Sequence, residues 1–130
     1  MIKYIIRKEI YSIEDVLSNT FMDKRKSNKE TLVDYDGDLM KMASERYKCF
    51  MKSWTKCVTC GIEGTHFAKE RYETDKTYHF NLYALDENGD EVLMTKDHIF
   101  PKSKGGKDEV SNYQTMCAPC NEEKGDKIIS

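Results

Sequence analysis

Asp97-His98-Ile99-Phe100-Pro101-Lys102-Ser103-Lys104-Gly105-Gly106, continued by Asn112-Tyr113-Gln114-Thr115-Met116-Cys117-Ala118-Pro119-Cys120-Asn121-Glu122-Glu123-Lys124-Gly125, is the most informative stretch of this sequence. It contains a Cys-x-x-Cys knuckle, Cys117 and Cys120, and a second knuckle, Cys57-Val58-Thr59-Cys60-Gly61, lies upstream. Each knuckle can set two thiolates on adjacent corners of a tetrahedron, so the pair predicts a structural Zn²⁺ site held by Cys57, Cys60, Cys117 and Cys120. Four protein ligands leave no open position for chemistry, and the binding free energy of the ion becomes folding free energy. The 56 residues from Gly61 to Met116 exceed the usual ribbon spacing, and an inserted hairpin accounts for much of the excess. A redox role is disfavoured because neither knuckle sits in a thioredoxin-like βαβ context.

That hairpin is expected at about 77–96, around Asn88-Gly89, the dipeptide preferred by a two-residue type I′ turn. Counting outward pairs Leu85 with Val92, Ala84 with Leu93 and Tyr83 with Met94. Further out, residues 1–11 read as a short strand, and Ser12 as the N-cap of a helix from about Ile13 to Met22. Asp23 to Lys29 reads as a basic loop. Leu39, Met42, Ala43, Tyr47, Phe50, Met51 and Trp54 recur at three- and four-residue spacing, which predicts a helix from Asp36 or Asp38 to about Trp54 with that stripe in the core. Asp34, Asp36, Asp38 and Glu45 match a calcium-loop spacing, but Leu39 stands where that loop needs glycine, and capping of the helix by the aspartates is preferred. Cys49, without a partner at ligand spacing, is expected to be a buried structural cysteine.

The 130 residues suit one domain with a small extension. Hydrophobic residues at 38% and charged residues at 34% exclude a disordered chain, and no apolar run reaches bilayer length. The start lacks a signal-peptide pattern, so a cytoplasmic location, in a bacterial host if phage-encoded, is expected. A formal net charge of -2 gives no global attraction to nucleic acid, but basic and acidic residues number 12 and 9 over 1–60, 3 and 8 over 61–95, and 6 and 6 over 96–130. Acidity is concentrated in the middle, which leaves both ends free to approach phosphate.

The Asp-His pair, the Pro-Lys-x-x-Gly-Gly loop, Asn112 and the Cys-x-x-Cys-Asn-x-x-Lys ending resemble the HNH endonucleases, the zinc-supported branch of the ββα-metal nucleases, over residues 57–127. The resemblance implies hydrolysis of DNA phosphodiester bonds to 5′-phosphate and 3′-hydroxyl ends. His98, with an ordinary pKa near neutrality, suits the general base. The oxygens of Asp97 and Asn121 suit a catalytic Mg²⁺ or Mn²⁺. By resemblance Asn112 orients the base by hydrogen bonding, and Asn121 stands where many members have a second histidine. Lys102, Lys104, Lys107 and Lys124 flank these residues as candidate DNA contacts, whereas His66 and His79 match no motif position.

The expected fold is α+β: a ββα-metal nuclease motif with a four-Cys zinc site, an extra β-hairpin and N-terminal helices. Residues 1–56 would form a mostly helical N-terminal extension and residues 57–130 the nuclease domain, with a strand ending at Asp97-His98, a glycine loop, a short strand from Asn112 to Met116 and a helix from Ala118. The expected partner is DNA, with no membrane; a homodimer or an accessory protein stays open, as does origin in a phage or mobile element. A non-catalytic zinc module binding nucleic acid or protein, and cleavage of RNA, are the competing readings.

Overall fold

The computed structural model describes residues 4–22 and 29–128. In chain order its elements are strand β1 (Ile5–Tyr11), helix α1 (Ile13–Ser18), strands β2 (Leu32–Tyr35) and β3 (Asp38–Lys41), helix α2 (Glu45–Ser53), strands β4 (Gly64–Tyr72), β5 (His79–Leu85), β6 (Glu91–His98) and β7 (Tyr113–Cys117), and helix α3 (Ala118–Lys124). Antiparallel pairing builds a five-stranded sheet in the order β1-β4-β5-β6-β7, with β2-β3 as a separate hairpin. The fold is therefore α+β with antiparallel sheets. No helix among the described residues is long and apolar enough to cross a membrane.

Alternation along β5 puts Phe80, Leu82 and Ala84 on one buried face. Helix α2 turns Tyr47 and Phe50 toward it, and their rings meet Phe67 and Phe80. Val16 and Leu17 of α1, Met94 of β6 and Met116 of β7 complete this core, so the elements bearing the two knuckles share it with the N-terminal ones. Lys69 is fully buried yet satisfied: its ammonium meets Glu9 at 2.6 Å, Asp38 at 2.8 Å and the Tyr35 carbonyl at 2.8 Å. Three acceptors match its three protons and tie β1 and the β2-β3 hairpin to β4.

Three expectations are corrected here. The long helix from Asp36 or Asp38 does not form, because Asp36 and Gly37 both take positive φ, 54° and 96°, and make the two-residue turn of the β2-β3 hairpin. Asp34 accepts from the Gly37 amide instead of capping a helix, and α2 starts only after Ser44, whose hydroxyl accepts from the Arg46 and Tyr47 amides. Of the predicted stripe, Met42, Tyr47 and Phe50 are buried, while Leu39, Met51 and Trp54 are exposed. Cys49 is buried as expected.

The β5-β6 register is one residue away from the predicted one: Leu85 pairs with Glu91, Ala84 with Val92 and Tyr83 with Leu93. The cause lies at the tip, where Asp86 and Asp90 close the loop by an N–H to C=O bond of 2.9 Å and only Gly89 takes positive φ. The loop is thus Glu87-Asn88-Gly89, and the Asp86 carboxylate accepts from the Asn88 and Asp90 amides. Last, residues 1–56 are not mostly helical: three strands and two short helices are described, and β1 is an edge strand of the main sheet. Ser12 does cap α1, which stops at Ser18 rather than Met22. The basic loop falls at 23–28, outside the described residues, apart from Lys29.

Candidate active site and metal centre

The first knuckle folds on itself through Gly61 N–H to Cys57 C=O at 3.0 Å, and Val58 N–H to Thr115 C=O at 3.0 Å fastens it to β7. Cys117 ends β7 and is the N-cap of α3, whose first turn carries Cys120. The four sulfurs of Cys57, Cys60, Cys117 and Cys120 lie within 4.8 Å of one another, and Cys60 and Cys117 are 3.7 Å apart. Tetrahedral Zn–S bonds of about 2.3 Å put sulfurs about 3.8 Å apart, so the cluster can hold such an ion. Burial pushes the Cys57 thiol up, but hydrogen bonds from the Cys60, Cys117 and Thr59 backbone outweigh it and bring it down to about 6. Cys120 is pushed up, first by its hydrogen bond with Cys117 and then by burial. Four thiols this close resist ionising together, and a cation at their centre would offset the repulsion between the thiolates.

Beside this cluster, β6 and β7 run antiparallel, with Asp97 opposite Gln114 and His98 opposite Tyr113, and α3 packs on both strands. Asp97 is 6% exposed and is held from two sides. Gln114 Nε2 donates to its Oδ2 at 2.9 Å, and Lys124 Nζ lies 3.1 Å from Oδ2 and 3.3 Å from Oδ1. Lys124 also donates to the His98 carbonyl at 3.1 Å. Asn121, in α3, donates through Nδ2 to Thr95 Oγ1 at 2.8 Å, which leaves its Oδ1 as the uncommitted atom among the described contacts. Asp97, His98, Asn121 and Lys124 line one open pocket of about 280 Å³. Asp97 and Asn121 offer this pocket hard oxygen donors of the kind a divalent ion takes, and such an ion would compete with the Lys124 ammonium for the Asp97 carboxylate.

His98 sits with its ring edge-on to Tyr113, centroids 5.2 Å apart, and its Nε2 lies 2.7 Å from Asp108 Oδ1. Asp108 also pairs with Lys102 at 3.1 Å. The His98 hydrogen bond first, and Lys102 second, hold the Asp108 carboxyl below its ordinary range. The direct hydrogen bond expected from Asn112 to His98 is replaced by another arrangement. Asn112 Oδ1 accepts from the Phe100 amide at 2.9 Å, and its Nδ2 donates to the Phe100 carbonyl at 3.1 Å and the Lys107 carbonyl at 2.9 Å. Its whole amide thus clamps the two ends of the glycine loop, with no donor left for the imidazole. Gly106 lets the loop close: a Cβ there would stand 1.8 Å from the Phe100 carbonyl oxygen.

Residues 86–130 match a family described as HNH endonuclease. Over that segment the chain is similar to the HNH endonucleases. The match takes in β6, the glycine loop, β7 and α3, and the first knuckle lies before it. Neither a curated protein nor a solved structure matched the chain.

Within the HNH segment the four predicted lysines separate. Lys102 is exposed at the pocket, Lys107 is exposed on the loop, and Lys104 donates to the Asp126 carbonyl at 2.9 Å. Lys124 is corrected from a surface phosphate contact to a buried partner of Asp97, because α3 packs its side chain over β6. Two features at or beside the pocket escaped sequence reasoning. Lys96 lies 4.4 Å over the Tyr113 ring and lines the pocket, legible only as a residue one position before Asp97. Asp108 carried no signal at all, since only the folded loop brings it back ten residues to His98. His66 meets Glu91 at 2.6 Å on the sheet, and neither it nor His79 lines the pocket.

Proposed function

We propose that this chain is a metal-dependent endonuclease that hydrolyses DNA phosphodiester bonds in the pocket formed by β6, the glycine loop and α3. The observation that carries the reading is the convergence of Asp97, His98 and Asn121 on one pocket within the segment that matches the HNH endonucleases. His98 is the general base: it takes a proton from a water, whose oxygen bonds to phosphorus while the P–O3′ bond breaks. The electron pair leaves with the 3′ oxygen, which takes a proton from solvent, and the products are 5′-phosphate and 3′-hydroxyl ends. Asp97 and Asn121 Oδ1 are the residues that would hold Mg²⁺ or Mn²⁺, which when bound supplies positive charge against the phosphate. Lys96 and Lys102 add fixed positive charge beside the pocket, and Lys102, Lys104 and Lys107 are the candidate phosphate contacts. The four cysteines are the residues that would hold Zn²⁺ as a structural ion.

Incubation of supercoiled plasmid with the zinc-loaded protein tests this reading. Nicked or linear product should appear with Mg²⁺ or Mn²⁺ and vanish when that ion is withheld while zinc is retained. Intact plasmid under every ion tried, with binding preserved, would favour a non-catalytic zinc module.

A further inference from the structure

The glycine loop returns to the strand it left. It departs from β6 at His98, turns at Gly105 and Gly106, and brings Asp108 back so that its carboxylate meets the imidazole Nε2 at 2.7 Å. A carboxylate only accepts hydrogen bonds, so this contact requires the proton of the neutral ring to be on Nε2. That leaves Nδ1 with the lone pair, and none of the described residues hydrogen-bonds it. The delivery of Asp108 depends in turn on Asn112, whose Nδ2 holds the carbonyl of Lys107, the residue just before Asp108, at 2.9 Å. The same amide clamps both polar groups of Phe100, two residues after His98, at 2.9 and 3.1 Å. Lys102 steadies Asp108 from its other oxygen at 3.1 Å, and Tyr113 packs against the imidazole in a T-shaped contact with centroids 5.2 Å apart.

We propose that Asp108 is the positioning residue of His98, fixing the Nε2–H tautomer so that Nδ1 receives the proton from water, and that Asn112 acts on His98 through Asp108. This rests on the reading of His98 as general base. A histidine held by a carboxylate on one nitrogen keeps both its tautomer and its ring direction, and loss of such a supporting partner typically lowers activity by about 10- to 100-fold. Asp108 is exposed on a loop, so its replacement leaves the core untouched.

The test combines spectroscopy and kinetics on the full-length, zinc-loaded protein. ¹⁵N chemical shifts of labelled histidines, with His98 assigned by its loss in His98→Ala, report which ring nitrogen carries the proton without any catalytic ion. Wild type should show His98 as the Nε2–H form, Asp108→Ala a mixture, and Asp108→Glu a partial return. In plasmid cleavage Asp108→Ala should lower kcat by about 10- to 100-fold with KM nearly constant. Asn112→Ala should cost much less in the Asp108→Ala background than in wild type, because two residues acting in series are not additive. An unchanged tautomer and kcat in Asp108→Ala, or fully additive losses, would overturn the proposal. If the wild type cleaves nothing, the nuclease reading fails and the tautomer shifts alone decide whether Asp108 holds the ring.

Discussion

Lys124 shows how far a residue's role can depart from its type. A lysine near the end of a short helix is ordinarily a solvated charge, but here its side chain is 2% exposed and its ammonium bridges Asp97 and the His98 carbonyl. Removing one partner of a buried ion pair leaves an uncompensated charge, so Lys124→Met should cost about 3–5 kcal/mol in urea unfolding. Loss of no more than a few tenths would mean that the pair is solvated. That Asp97, His98 and Asn121 meet at one pocket was legible in the sequence, because motif positions on one strand and one helix carry them. Asp108 and the burial of Lys124 were not, since each depends on where a loop or a helix face lands in space.

Among the elements, the strand-loop-strand-helix unit was legible to within a residue: β6 ends at His98, β7 begins at Tyr113 and α3 at Ala118. Its boundaries coincide with chemistry that a sequence displays, a glycine pair and a cysteine knuckle. The segment 32–53 was misread because three- and four-residue apolar spacing arose by chance across a hairpin and a helix. Asp36-Gly37 carried the turn signal that should have outweighed it. In the β5-β6 hairpin the turn was found but its length was not, since Asn-Gly also fits a three-residue loop with glycine in the left-handed place. The glycine loop yields an element-level prediction. In Gly106→Ala the new methyl collides with the Phe100 carbonyl, so the loop must open and withdraw Asp108 and Lys102. Cleavage should fall at least about tenfold while zinc content is kept, because the knuckles are not part of the loop. Wild-type activity in that variant would show that the closed loop is dispensable.

Among the described residues a five-stranded antiparallel sheet, with β1 as one edge strand, carries the separate β2-β3 hairpin and the helices, and the two knuckles meet where β7 runs into α3 beside the shared core. An ion held by the four cysteines would supply a large share of the stability of a chain of 130 residues. Binding of about 10–16 kcal/mol, as in small zinc-finger peptides, would exceed the net stability of an ordinary domain. Chelation under reducing conditions should therefore abolish the cooperative unfolding transition, and one equivalent of Zn²⁺ should restore it. A fully folded metal-free form would contradict a structural role for the ion.

The central claim, that His98 performs chemistry in this pocket, is tested most directly by comparing plasmid cleavage by wild type and His98→Ala at equal Mg²⁺, zinc content and purity. A residue acting on water contributes little to binding DNA in its ground state, so affinity and folding should be retained. The cleavage rate should fall by about 10²- to 10⁴-fold. Equal cleavage by the two proteins would contradict the mechanism.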